Sequence, residues 1–149
     1  MNDKDLTPFL DVRQNQLQLE VATGDAIDTK ALGILASDFA LLLFIAQSNG
    51  SILSSFFTIT TLLILSVAVV LTCIVVRPKN YAGSSTSMFD NPEYLDLKTE
   101  ELIRQLLSDT EIALTTNEAI NKSRWLMCAI ALVLTLLTTV VLLLCIVIK

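Results

Sequence analysis

Few residues in this chain could do chemistry, and the most informative of them is Asp38. It lies within residues 31–46, an apolar run in which it carries the only charge. A carboxyl group in such surroundings is costly unless protein or water satisfies it, so an acid kept there is usually functional. The sequence therefore predicts that Asp38 makes a polar contact inside an otherwise apolar structure.

The remaining chemistry-bearing residue types do not form a pattern typical of an enzyme. The chain has no histidine, no CxxC pair, no glycine-rich phosphate loop, and no nucleophile beside a plausible base. Cys73, Cys128 and Cys145 have mainly apolar neighbours and are interpreted as small fillers. We therefore expect no enzymatic activity, no metal and no cofactor. The net charge of −5 disfavours nucleic acid as a partner.

Three apolar runs dominate the sequence, at residues 31–46, 52–76 and 125–148. A helix needs about 20 apolar residues to cross a bilayer, and the second and third runs exceed that length. The first is shorter, which leaves a re-entrant or buried segment as an alternative. Residues 47–51, Gln-Ser-Asn-Gly-Ser, suit an outer link between two helices and favour a true span. The prediction is an all-α integral membrane protein with three transmembrane helices.

The polar parts of the chain are predicted to be helical extensions of the spans in the cytoplasm. Residues 1–30 form an amphipathic helix that continues into the first span, and residues 99–124 form another that continues into the third. Residues 77–98, with Pro78 and Pro92, form the linker between them. The two amphipathic helices either pack on each other as an antiparallel stalk or use polar seam residues such as Asn117 to select an assembly of copies.

Basic residues predict the orientation, because cationic side chains near span ends remain in the cytoplasm. The outer link carries none, so the N-terminus is predicted inside and the chain multi-pass. The apparent lack of a targeting segment fits a bacterial inner membrane best. No cleaved signal peptide is expected, since the first 30 residues are polar. The side chains predicted to anchor the spans in the headgroup region are Lys30, Arg77, Lys79, Lys122, Arg124 and Trp125.

Two further sets of residues are predicted to act within the spans. Counting inward from the outer ends of the spans places hydroxyls at the depth of Asp38, on Thr60, Thr61, Thr138 and Thr139. They would join Asp38 in gating or in an oligomer contact, although a threonine can instead return its hydroxyl to the preceding turn. Thr29, Gly33 and Ser37 repeat every four residues, a spacing that lets helices pack closely in lipid.

The layout resembles a known group of membrane proteins. The carriers of the resemblance are Asp28-Thr29-Lys30-Ala31-Leu32-Gly33 before two tightly linked spans, and then Leu102-Ile103-Arg104-Gln105-Leu106-Leu107, Asn117-Glu118 and Asn121-Lys122 before the last span. This arrangement is similar to that of the small transmembrane effectors of bacterial anti-phage signalling, the Pycsar-type and SLATT-type membrane proteins.

That resemblance implies a homo-oligomer that permeabilises the inner membrane when a protein partner or a nucleotide signal acts through the cytoplasmic helices. Asp38 would then line or gate a pore or form an oligomer contact. The sequence leaves two alternatives open. One is a structural or accessory subunit, in which Asp38 pairs with a different protein's helix, and the other is a phage holin.

Overall fold

The computed structural model describes residues 3–47, 55–82 and 99–147, which form three helices. These are α1 at Asp3–Gln47, α2 at Ser55–Val76 and α3 at Thr99–Val147. No strand occurs in these ranges, so the all-α prediction is confirmed for them. The predicted outer link beyond Gln47 and positions 83–98 of the predicted linker lie outside the described residues.

All three helices are long and apolar enough to cross a membrane. The amphipathic helix predicted at residues 1–30 and the first apolar run belong to one unbroken helix, α1. In the same way, α3 begins at Thr99 and continues through the third apolar run. Both helices therefore combine a polar half with an apolar half, as the sequence predicted.

Buried positions recur at steps of mostly three and four residues along each helix. On α3 they run Leu106, Thr110, Ala113, Asn117, Asn121, Arg124, Cys128, Ala131, Thr135, Thr138 and Leu142; on α2 they are Thr61, Leu65, Ala68, Thr72 and Val75. This spacing keeps one seam of each helix facing its neighbours, as in coiled coils. The seams carry polar residues as well as apolar ones.

The chain divides into two compact units. The first, which we call the polar unit, comprises Met1–Asp25 and Lys79–Lys122; the second, the apolar unit, comprises Ala26–Pro78 and Ser123–Lys149. Because α1 and α3 are continuous, each contributes residues to both units. The polar unit buries Leu17, Leu106 and Ala113 together with the polar side chains of Thr110 and Asn117.

The apolar unit contains two clusters of buried hydrophobic residues. The first consists of Ile27, Ala31, Ile34, Val75, Cys128 and Ala131, and the second consists of Ile45, Leu65 and Leu142. All three helices contribute to both clusters. Asp38 follows Ile34 and precedes Ile45 along α1, so its position lies between the two clusters.

Candidate functional site

Asp38 is fully buried and has one hydrogen-bond donor. The hydroxyl of Thr135 on α3 donates to Asp38 Oδ1 at 2.6 Å, and the same hydroxyl oxygen lies 3.0 Å from the carbonyl oxygen of Ala131. The second carboxyl oxygen, Oδ2, is buried and has no hydrogen-bond partner among the described residues. Buried polar groups in folded proteins are rarely left unsatisfied in this way. Asp38 is therefore the energetically anomalous residue of the apolar unit.

The surroundings of Asp38 supply no counter-charge. From Ala31 to Gln47 Asp38 is the only charged residue on α1, and there is none on α2 or on α3 from Trp125 to Val147. An ionised carboxylate in this interior would therefore be uncompensated, which costs several kcal/mol. The predicted polar contact exists, and it is made within one chain.

The donor to Asp38 was not among the predicted threonines. Thr61 and Thr138 are buried, Thr139 is half-buried and Thr60 is exposed. Thr138 and Thr139 donate to the carbonyl oxygens of Leu134 and Thr135, each at 2.9 Å, which is the alternative noted for threonines in helices.

A signal for Thr135 was present in the sequence. Leu106, Ala113 and Arg124 are buried on one face of α3, and the same spacing of three and four residues, continued through Cys128 and Ala131, reaches Thr135. The depth count from the ends of the spans did not include this periodicity. It therefore indicated Thr138 and Thr139, about one turn beyond Thr135.

Arg124 occupies a different position from the one predicted. Its side chain is only 4% exposed, with Nε and Nη2 donating to the carbonyl oxygen of Val75 at 3.2 and 3.0 Å. Nη2 also pairs with the carboxylate of Asp28. A cation at the C-terminus of α2 is favourable because unpaired carbonyls concentrate negative charge there. We call these three residues the Arg124 clasp, since they join α1, α2 and α3.

The other predicted anchors are accessible. Lys30, Arg77, Lys79 and Lys122 are exposed, and Trp125 is 57% exposed. Side chains in these states can reach a headgroup region, whereas the guanidinium of Arg124 is engaged inside the apolar unit. For these five residues the anchoring role stays a prediction.

The small residues predicted for close helix packing lie on the outside of the apolar unit. Thr29, Gly33 and Ser37 are all exposed, and a Cβ atom added to Gly33 would meet nothing within 4 Å. In the described part of the chain, neither α2 nor α3 packs closely on Gly33.

Two asparagines on α3 organise the polar unit. Asn117 is fully buried; its Oδ1 accepts from the Ala82 amide at 2.9 Å, and its Nδ2 donates to the Ala82 carbonyl at 3.1 Å. Asn121 accepts from the Tyr81 hydroxyl at 2.8 Å and donates to the Glu20 carbonyl at 2.7 Å. These amides fasten the segment after α2 to α1 and α3, so Asn117 has a role within one chain.

The predicted antiparallel packing of the two amphipathic helices is wrong. Arg13 pairs with Glu111, and further along both helices Asn121 donates to Glu20. The helices α1 and α3 therefore run parallel in the polar unit.

The part of the chain that the structure describes contains no candidate metal site. No group of three or more His, Cys, Asp or Glu residues there could hold a metal ion. All three cysteines are free: Cys73 is exposed, Cys128 is buried and Cys145 is half-buried.

Comparison with known proteins gave no match. No family model matches the chain, and no curated protein or solved structure matches it either.

Proposed function

We propose that this protein is a membrane effector that assembles from several copies and permeabilises the bilayer. The three helices of sufficient length and apolarity support a membrane location. Its setting would be the bacterial inner membrane during defence against phage, as the resemblance in layout implies. The observation that carries the proposal is Asp38, a buried acid with no counter-charge and one unpartnered oxygen.

A buried acid of this kind lowers the stability of the resting bundle, which is why we assign it a role in a second state. The interior seams of the apolar unit also contain the hydroxyls of Thr61, Thr72, Thr135 and Thr138. If the helices rearrange, these groups and the carboxyl group become available to line a hydrated path. The resting structure then conceals the polar lining, and Thr135 holds Asp38 in place.

The polar unit is the proposed receiver of the activating signal. Because α1 and α3 each run from the polar unit into the apolar unit, a protein partner or a nucleotide that alters their first halves acts on helices that also contain Asp38 and Thr135. In this proposal the N-terminus is cytoplasmic and the chain crosses the membrane three times.

The contact between Asp38 and Thr135 favours the effector over the accessory subunit. The accessory role was based on Asp38 needing a polar group from a different protein. Thr135 of the same chain already donates to it. That contact weakens the case for a foreign helix.

A leakage assay with purified protein tests the proposal. We would reconstitute the wild-type chain and the Asp38→Ala variant into dye-filled vesicles, with Ser66→Ala as the matched control. Ser66 is exposed on α2 and returns its hydroxyl to the Leu63 carbonyl. If the acid favours the open state by about 1.4 kcal/mol, Asp38→Ala should slow dye release about tenfold.

The control variant should release dye like the wild type. Equal release from wild type and Asp38→Ala, or no release above that of empty vesicles from either, would contradict the effector proposal. A stable foreign protein that co-purifies in mild detergent would support the accessory role instead.

A further inference from the structure

The surface of the apolar unit contains a groove between α1 and α3. Its volume is about 600 Å³, within the range of about 300–1,000 Å³ that is typical of small-molecule sites. Small and apolar side chains line most of it, among them Gly33, Ala129, Leu132 and Leu136. A Cβ atom added to Gly33 would meet nothing within 4 Å, so the groove is open beside this residue.

The two helices run in the same direction here, because Asp28 pairs with Arg124 and Asp38 accepts from Thr135 further along both helices. The groove therefore has a defined polar end, where Lys30 of α1 and Trp125 of α3 line it beside the Arg124 clasp. At about 1.5 Å per residue, the distance from Trp125 to Thr139 along α3 is about 21 Å. This covers the thickness of one leaflet, about 15 Å.

The charge of the groove is complementary to an anion. Lys30 is exposed and is the only charged residue that lines it, while no acidic side chain does. Trp125 at the same end is typical of the level at which lipid headgroups meet hydrocarbon. The apolar part of the groove continues from that level into the unit.

We propose that this groove binds one anionic phospholipid, with an acyl chain along Gly33, Leu132 and Leu136 and the phosphate on the ammonium group of Lys30. The inference depends on the proposed membrane location, but it does not depend on permeabilisation. The small residues Gly33 and Ser37, predicted to receive another helix, would instead make room for lipid.

A second copy of the chain is a weaker candidate for this groove. Two copies in one membrane that met symmetrically through this face would bring Lys30 of each to the same depth. Like charges placed together there repel, whereas a phosphate compensates the ammonium.

The single tryptophan of the chain makes the proposal directly measurable, since Trp125 lines the groove. We would measure quenching of its fluorescence by brominated phosphatidylglycerol and by brominated phosphatidylcholine, in vesicles that contain the full chain. One lysine near an anionic headgroup should favour phosphatidylglycerol about fivefold. Lys30→Gln should abolish that preference, while Arg104→Gln, at an exposed basic residue of the polar unit that neither lines the groove nor belongs to the predicted anchors, should preserve it.

A second variant separates the two occupants. Gly33→Leu should fill the groove and reduce the selective quenching without changing the copy number, determined by native mass spectrometry. Equal quenching by the two lipids in the wild type would overturn the proposal, as would a preference that survives in Lys30→Gln. A Gly33→Leu variant with an altered copy number and unaltered lipid preference would assign the groove to a second copy. This experiment does not measure dye release. A negative result would therefore overturn the lipid site and leave the proposed permeabilisation unaffected.

Discussion

At the scale of single residues, the hydroxyl of Thr135 is the most consequential group in the apolar unit. It carries one hydrogen but lies within reach of two acceptors, Asp38 Oδ1 at 2.6 Å and the Ala131 carbonyl oxygen at 3.0 Å. The shorter contact gives the carboxyl group of Asp38 its one donor. Without this hydroxyl, neither oxygen of the buried acid would have a donor in the structure.

We predict that Thr135→Val destabilises the protein by about 1–3 kcal/mol, because it leaves a buried carboxyl group unsatisfied while preserving the shape of the side chain. In the Asp38→Ala background the same substitution should cost less than about 0.5 kcal/mol. The measurement is the free energy of unfolding in mild detergent, followed by circular dichroism.

Thr139→Val is the matched control for this double-mutant cycle. Thr139 lies one turn further along α3 and donates to the backbone carbonyl of Thr135, so its loss should be nearly neutral in both backgrounds. An equal cost of Thr135→Val with and without Asp38 would show that the two residues are not coupled.

The sequence predicted the important acid but not all of its surroundings. Asp38 was recognisable because a lone charge in an apolar run has an energetic meaning without a structure. Thr135 required the relative register of two helices, which depends on packing. The role of Arg124 was hidden for another reason: its acceptor is the backbone carbonyl of Val75, and no residue type marks an unpaired carbonyl.

At the scale of the helices, Gly24 shows how closely the segment after α2 approaches α1. A Cβ atom added to Gly24 would lie 2.0 Å from the hydroxyl oxygen and 2.6 Å from Cζ of Tyr81. That hydroxyl also donates to Asn121 Oδ1 at 2.8 Å, so it cannot move without losing the hydrogen bond. Glycine inside a helix otherwise costs about 0.5–1 kcal/mol relative to alanine. The close approach explains its use here.

We predict that the effect of Gly24→Ala on stability has opposite signs in the presence and in the absence of the Tyr81 side chain. In the wild-type chain it should destabilise the protein, because the new methyl group displaces Tyr81 and breaks the bond to Asn121. In a Tyr81→Ala background it should stabilise the protein by about 0.5–1 kcal/mol, the ordinary helix preference of alanine. Thermal unfolding of the four proteins measures both effects. Stabilisation in both backgrounds would refute the close approach.

The helices were largely predictable because their hydrophobic spacing is regular. The continuity of α1 and α3 and the start of α3 at Thr99 follow from that spacing and from local helix signals. On α1, Ile27 and Ile34 are buried, whereas Val21 and Leu35 are half-buried. Steps of three and of four both stay on one face, so periodicity alone does not choose between neighbouring positions.

At the scale of the whole molecule, the charged residues other than Asp38 lie outside the three apolar runs of the sequence. All three helices of the apolar unit expose large hydrophobic side chains, including Leu43, Leu63 and Val133. Soluble proteins rarely leave such extended apolar surface uncovered. Lipid on these faces is the simplest explanation of this surface, and it supports the proposed membrane location. The composition of the chain predicted this segregation, while the groove required the packed helices.

The Arg124 clasp has a mechanical consequence for the apolar unit. Among the described residues, an ion pair, two hydrogen bonds and the first apolar cluster of six buried residues hold the three helices together at that end. Near Ile45 the described contacts are those of the second cluster, with three buried residues. We infer that the helices separate first at the end near Ile45. We therefore expect backbone amide exchange to be faster at Leu142 than at Ala131, in detergent and at equal pH. Uniform exchange along α3 would mean that the bundle opens as a unit.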